Sequence, residues 1–327
     1  MSKHYAVISI GTNSTRVLLA DVAPDTPHVD LARSIGTRIG EGLTDGGALH
    51  AEPMERTLEA VRSHARAVRG HYVRLFAIAT SAVRRAANGA AFAAKVQALT
   101  GVPVHVLSGD EEASASYRGA ITAFGALHGE ALGVIDTGGG STEYATGAGP
   151  APERTVSCEI GAVRLTEAVP LLAGREGVVD LDTIERARAI ARERLAPIAT
   201  FPKVAHLALV GGSATTAAAL IRGKKTKIDT YEMTRSDLQR ALVRLCALST
   251  KERKELPGMK PQRADILPAG IIALETVLDL AGHDRATATT ADLLLGYLLQ
   301  QRDRQPVHAA AFRGGMEGKR TTERDQP

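Results

Sequence analysis

Tryptophan is absent from the 327-residue chain, and cysteine occurs only twice. Cys158 and Cys246 lie far apart and match neither a disulfide framework nor a metal-binding spacing, which excludes a disulfide-stapled scaffold and points to a reducing cytoplasm. No run of about 18 apolar residues is available to span a bilayer. The first residues enter an apolar strand without a basic n-region, a long h-region or a small-residue cleavage site, so a cytoplasmic protein with no membrane partner is expected. The ten histidines show no His-x-x-x-His spacing, which argues against zinc. Gly-x-Ser-x-Gly, Gly-x-x-x-x-Gly-Lys-Ser/Thr and Gly-x-Gly-x-x-Gly are all missing, which removes the serine-hydrolase elbow, the Walker loop and the dinucleotide fingerprint.

Aromatic residues make up 3% of the chain, too few to interleave with basic residues as base-stacking surfaces do, so no nucleic-acid partner is expected. The net charge of +4 and pI near 9.1 still suit a polyanionic ligand. Hydrophobic residues supply 44% of the chain, enough for two lobes that each bury an aliphatic core.

The order of elements is the more informative feature. Residues 5–10 read as a strand, Gly11-Thr12-Asn13-Ser14 as a tight turn and residues 15–22 as a second strand. Residues 39–47 read as a glycine-rich loop, 54–69 as a helix, 75–79 as a strand, 90–99 as a helix and 102–107 as a strand. A helix begins near residue 111. The cycle then restarts: a strand over 131–135, the run Asp136-Thr137-Gly138-Gly139-Gly140-Ser141-Thr142-Glu143, and a further strand. This repetition predicts an α/β fold of two related lobes, 1–122 and 123–303. Within the second, 181–195 reads as a charged helix, 205–210 as a strand, 211–216 as a turn opening a helix, and 264–280 and 291–299 as helices. Residues 304–327 carry no periodic apolar face and read as a flexible tail.

Three glycine loops each follow a strand. Gly11, Thr12, Asn13 and Ser14 form the first; Gly138, Gly139, Gly140 and Ser141 the second; Gly211, Gly212 and Ser213 the third. Bare amides at such turns approach phosphate oxygens without Cβ interference, and the third also opens a helix whose dipole favours an anion. The second loop is flanked by Asp136 and Glu143, carboxylates placed to hold Mg²⁺ against a phosphate. Glu111 and Glu112 begin a helix, where acids ordinarily cap. Two neighbours cannot both cap well, and one turned into a cleft beside other carboxylates would acquire the raised pKa of a general base. Arg84, beside Arg85 after the strand over 75–79, offers a guanidinium fork for phosphate oxygens, and Arg164 sits in an otherwise apolar stretch. Lys224, Lys225 and Lys227 form a basic cluster that a solvated loop explains but that would also steer a long polyanion.

Taken in order, ISIGTNSTRVLLAD, ATSAVRRAANG, VLSGDEEASASYRGA, VIDTGGGSTEYATG, EIGAVRLTE and LVGGSATTAAAL resemble the exopolyphosphatase and guanosine pentaphosphate phosphohydrolase (Ppx/GppA) family from residue 5 to about 220, with weaker similarity to about 299. The resemblance implies two ribonuclease-H-like lobes of the actin, heat-shock-chaperone and sugar-kinase superfamily, with a cleft between them. It implies Mg²⁺ dependence, with Mn²⁺ an alternative, and water attack on a terminal phosphoryl group. By motif position, Glu112 is similar to the family's base, with Glu111 the fallback. Asp136 and Glu143 resemble its metal or water-positioning acids, and Arg84 its phosphate clamp. The substrate implied is polyphosphate or a guanosine polyphosphate. A homodimer is left open. The family's first strand usually ends in Asp where this chain has Ser9, which implies weaker metal binding or slower turnover. The chain ends before the extra helical domain of longer members, which implies lower processivity. Inorganic polyphosphate hydrolysis is the leading expectation, with guanosine pentaphosphate hydrolysis, a non-catalytic polyphosphate or nucleotide sensor, and a kinase of the same superfamily as alternatives.

Overall fold

The computed structural model describes residues 4–23, 26–125, 127, 129–175, 177–223 and 230–304. The Lys224, Lys225 and Lys227 cluster and residues 305–327 lie outside them.

The first sheet holds β1 (His4–Ile10), β2 (Ser14–Asp21), β3 (His28–Gly36), β4 (Arg74–Ala79) and β5 (Val104–Val106) in the order β3-β2-β1-β4-β5. Its helices are α1 (Ala51–Val68), α2 (Ser81–Arg85) and α3 (Gly89–Thr100), and α4 (Gly109–Ala120) follows β5. The second lobe contributes β6 (Leu132–Thr137), β7 (Thr142–Gly147), β8 (Arg154–Cys158), α5 (Ala162–Ala168), α6 (Leu181–Leu195), β9 (His206–Val210) and α7 (Gly211–Arg222). Then come β10 (Thr230–Thr234), α8 (Arg235–Cys246), α9 (Thr250–Lys254), α10 (Leu267–Leu280), β11 (Arg285–Thr289) and α11 (Leu293–Asp303).

The second sheet runs β10-β11-β9-β6-β7-β8. Three antiparallel strands (β6 to β8) are followed by two parallel ones (β9 and β11), which repeats the first sheet and adds β10 at the edge. The turns repeat as well: Gly11 N–H donates to the Ser14 carbonyl at 3.0 Å, and Gly138 N–H to the Ser141 carbonyl at 3.0 Å. Each lobe is thus a ribonuclease-H-like unit.

Both central strands are buried on two faces, as strands covered by helices on either side must be. Along β1, Ala6, Ile8 and Ile10 enter the core with α1 and α3, whereas Tyr5 and Val7 enter the core with α11. Along β6, Ile135 joins the large core of α6, α7, α8 and α10, whereas Leu132 and Val134 meet Ala113, Tyr117 and Ala120 of α4. The helix after each lobe's last parallel strand therefore crosses to the other lobe's sheet. α4 and α11 cross where Gly119 and Gly296 meet: an added Cβ on Gly296 would stand 1.7 Å from the Ala115 carbonyl oxygen. Residues 211–216, expected as a turn before a helix, are instead the first residues of α7, because Val210 already occupies the N-cap position.

Candidate active site

The two hairpin loops meet face to face between the lobes. A Cβ on Gly140 would lie 2.6 Å from Thr12 Oγ1 and 2.7 Å from Ser81 Oγ, so only glycine permits this approach. Asn13 and Ser14 are buried, and neither amide atom of the Asn13 side chain has a hydrogen-bond partner. Gly211 completes the third side, with φ +84° and a hypothetical Cβ 2.4 Å from Asp136 Oδ1. The Asp136 carboxylate thus sits against the start of α7, where orphan amides and the helix dipole favour negative charge.

Asp136 and Glu143 are directly opposed in the β6–β7 register, so their side chains leave the same face of the sheet. That face is covered by α4, which brings Ser116 and Glu112. Ser116 Oγ donates to Asp136 at 2.5 Å and Ser157 Oγ to Glu143 at 2.8 Å, while Glu112 bonds the Arg84 guanidinium. Burial is the main cause that pushes Asp136 up to about 6, with the nearby Asp292 adding to it. Burial pushes Glu112 up to about 7 against the opposing pull of Arg84. Glu143 stands well above the usual carboxylate range, through burial and then through Glu112 and Asp136. The adjacent Glu111 goes elsewhere: it closes the capping box with Ser108 at 2.8 Å and pairs with His105 at 3.2 Å. The structure separates the two acids that the sequence left as alternatives.

Arg84 also donates to the Leu107 carbonyl at 2.8 Å and to Glu159 at 2.9 Å. Arg164 reaches the same place from the second lobe, bonding Glu159 at 3.2 Å and Asp45 at 3.1 Å. Four residues at this site were not singled out from the sequence. Glu159 lies inside the EIGAVRLTE run and gathers the arginines. Arg263 packs over Gly212, makes no side-chain hydrogen bond or ion pair among the described residues, and has its pKa lowered to about 10 by burial and by Arg16. Arg16 and Asp292 pair at 2.6 Å, and Arg16 stands directly opposite Ser9 in the β1–β2 register. In the first lobe, Ser9 and Arg16 therefore occupy the hairpin places that Asp136 and Glu143 occupy in the second, and Asp292, the N-cap of α11, pairs with Arg16. Charge signals existed for each, but their convergence depends largely on contacts between residues distant in the sequence.

Among the described residues no group of three or more His, Cys, Asp or Glu forms a metal cage, and no helix is long and apolar enough to cross a membrane. Glycine amides, buried acids and an arginine fork between two ribonuclease-H-like lobes define a phosphate-handling protein. A family model for the Ppx/GppA phosphatase family matches residues 20–291, and the chain belongs to that family. It is accordingly a hydrolase of the exopolyphosphatase type. It is 33% identical over 315 residues to "Exopolyphosphatase 2" of Mycobacterium tuberculosis, covering 90% of this chain and 97% of that protein. It is 29% identical to the "Bifunctional 3-dehydroquinate synthase/phosphatase" of Fusobacterium nucleatum, covering 90% of this chain but only 46% of that longer protein. Among solved structures, an exopolyphosphatase from Cytophaga hutchinsonii superposes with a TM-score of 0.83 at 25% identity, covering 92% of this chain and 98% of that one.

Proposed function

We propose that the chain hydrolyses the terminal phosphoanhydride bond of inorganic polyphosphate, releasing orthophosphate, in a reaction that requires Mg²⁺, with Mn²⁺ as a substitute. The carrying observation is the convergence of Glu112, Asp136 and Glu143 beside the glycine loops. A buried pair of like charges directly opposed across a sheet is destabilising unless a cation or a proton offsets it. Asp136 and Glu143 are such a pair, and their hard oxygens fit Mg²⁺, which commonly takes one or two carboxylates and completes its shell with phosphate oxygens and water. The bound ion would neutralise charge on the phosphate oxygens.

Glu112 accepts the proton of the attacking water, whose oxygen forms the new bond to the terminal phosphorus. The bridging oxygen departs with its electron pair on the shortened chain. Amides of the loops over 12–13, 139–141 and 211–213 hold the transferring group, the Gly11 and Gly138 amides being used to close their turns, and Arg84 and Arg164 hold its neighbours. Positioning and charge neutralisation supply most of the rate in such reactions. All three acids come from α4 and the second sheet, which supports turnover over the sensor reading despite Ser9 in the first lobe. The free, buried cysteines support a cytoplasmic setting. Orthophosphate release from polyphosphate is expected with Mg²⁺ and lost with a chelator or in Glu112→Gln. No release with any divalent cation would refute the proposal. Parallel kinetics on guanosine pentaphosphate rank the two substrates.

A further inference from the structure

Glu159 lies between β8 and α5 and receives more donors than a structural carboxylate needs. Ser81 Oγ donates to it at 3.0 Å, Arg84 at 2.9 Å and Arg164 at 3.2 Å, and Arg85 Nε makes a longer ion-pair contact at 3.8 Å without a hydrogen bond. Ser81, Arg84 and Arg85 belong to α2 of the first lobe and Arg164 to α5 of the second, so the carboxylate bridges the cleft. Its side chain is nevertheless 41% exposed, so it can be displaced without opening a core. The place it fills adjoins the phosphate cradle, since Ser81 Oγ is 2.7 Å from the Cβ position of Gly140.

Arg85 and Arg164 also reach the exposed Asp45, at 2.6 and 3.1 Å, and Arg84 also bonds Glu112, but Glu159 is the one acid that all three guanidinium groups approach together with a hydroxyl, and that is the donor set of a phosphoryl receptor. We propose that Glu159 is an internal anion occupying a phosphoryl seat next to the one at the glycine loops, and that it sets the charge a ligand must bring. This rests on the phosphate-binding reading of the cleft. A carboxylate carries one charge, whereas a polyphosphate brings one charge on every internal phosphoryl group and about 1.5 to 2 on each terminal one at neutral pH, several in all. A polyphosphate can therefore take the arginines from Glu159, and a singly charged anion gains nothing by the exchange. Glu159 in this role is a specificity-determining residue that need not touch the reacting atoms.

The test is calorimetric binding of tripolyphosphate to the intact chain in chelator, so that binding is read without hydrolysis. Glu159→Gln keeps the shape and the acceptor oxygen but removes the charge. One charge about 5 Å from the ligand, at an effective dielectric between those of a protein surface and water, corresponds to affinity of the order of tenfold tighter. Glu159→Asp keeps the charge and is expected to show no such gain. Equal or weaker binding by Glu159→Gln would overturn the proposal, because it would mean that the carboxylate serves to hold the arginines in place. Absence of tripolyphosphate binding by both proteins would overturn it too. Tighter binding without phosphate release in Mg²⁺ would leave the seat standing and remove the hydrolase reading. Circular dichroism of each variant checks that the fold is kept.

Discussion

At the residue scale the cleft trades stability for chemistry. Glu143 is 3% exposed, faces Asp136, and has hydroxyls rather than cations as hydrogen-bond partners in the ligand-free protein. Burial raises its pKa, so between its unfolded and folded values the native state binds more protons than the unfolded state. Stability contributed by the neutral form is complete in acid and is lost as pH rises through the folded value. Glu143→Gln is therefore expected to raise the melting temperature in chelator at pH 8 by a few degrees, corresponding to about 1 kcal/mol or more. The gain should shrink at pH 5, and hydrolysis should be lost at both. A lower melting temperature at pH 8 would contradict this account. Glu112, held near 7 chiefly by burial, must be ionised to accept a proton. The rate kcat/KM is then expected to fall about tenfold per pH unit below that value, placing the acid limb near neutrality rather than near 4.5. A flat profile from pH 5 to 8 would remove Glu112 as the base. Asp136 and Glu143 could be picked out from the sequence because they flank a glycine loop within eight residues. Glu159, Arg263 and Asp292 could not be, since lone charges carry no local sign of which cleft they enter.

At the element scale the decisive contact is the crossing of α4 and α11. α4 carries Glu112 and Ser116 onto the second sheet, and α11 places its N-cap, Asp292, at the first, so the site depends on two helices that have exchanged lobes. Their backbones touch at Gly119 and Gly296, where the atoms to be displaced are carbonyl and amide groups rather than flexible side chains. Gly296→Val is expected to destabilise the fold by about 3 kcal/mol, and to lower kcat by moving Glu112 relative to Asp136. Thermal melts and orthophosphate release measure the two effects, and an unchanged melt would show that the crossing can yield. Several helices were legible from the sequence, including Leu181–Leu195 to the residue, but α8 (Arg235–Cys246) was not read despite its apolar face. Four strands were not. β3 is exposed along most of its length and carries Asp30 and Arg33, as an edge strand does to avoid pairing with another chain. β8 and β10 are also edge strands, and β11, Arg-Ala-Thr-Ala-Thr, offers little side-chain volume to mark a buried face.

At the scale of the whole molecule, polar latches hold the lobes around the cleft. Arg16 pairs with Asp292, the Gly42 amide donates to Glu167 at 3.1 Å, and Arg164 reaches Asp45. The best-formed latch is Arg38, whose guanidinium donates twice to Asp265 at 2.7 Å and once to the Gln262 carbonyl at 3.3 Å. Arg38 has φ 50°, an uncommon conformation for a side-chain-bearing residue, and its amide is tied to the Asn13 carbonyl at 3.0 Å. The latch thus runs from the first glycine loop to the segment that carries Arg263. Asp265 is 8% exposed, so removing its partner strands a nearly buried charge. Arg38→Gln keeps a side chain with the same left-handed backbone strain, so the substitution isolates the ion pair. It is expected to cost about 2 to 3 kcal/mol and to raise KM more than it lowers kcat, since the cleft would close less readily on its ligand. Adding Asp265→Asn should recover part of the stability, because the stranded charge is then gone, but not the KM, because the bridge between lobes is still broken. A double variant as unstable as the sum of the two single ones would show that the pair does not couple the lobes.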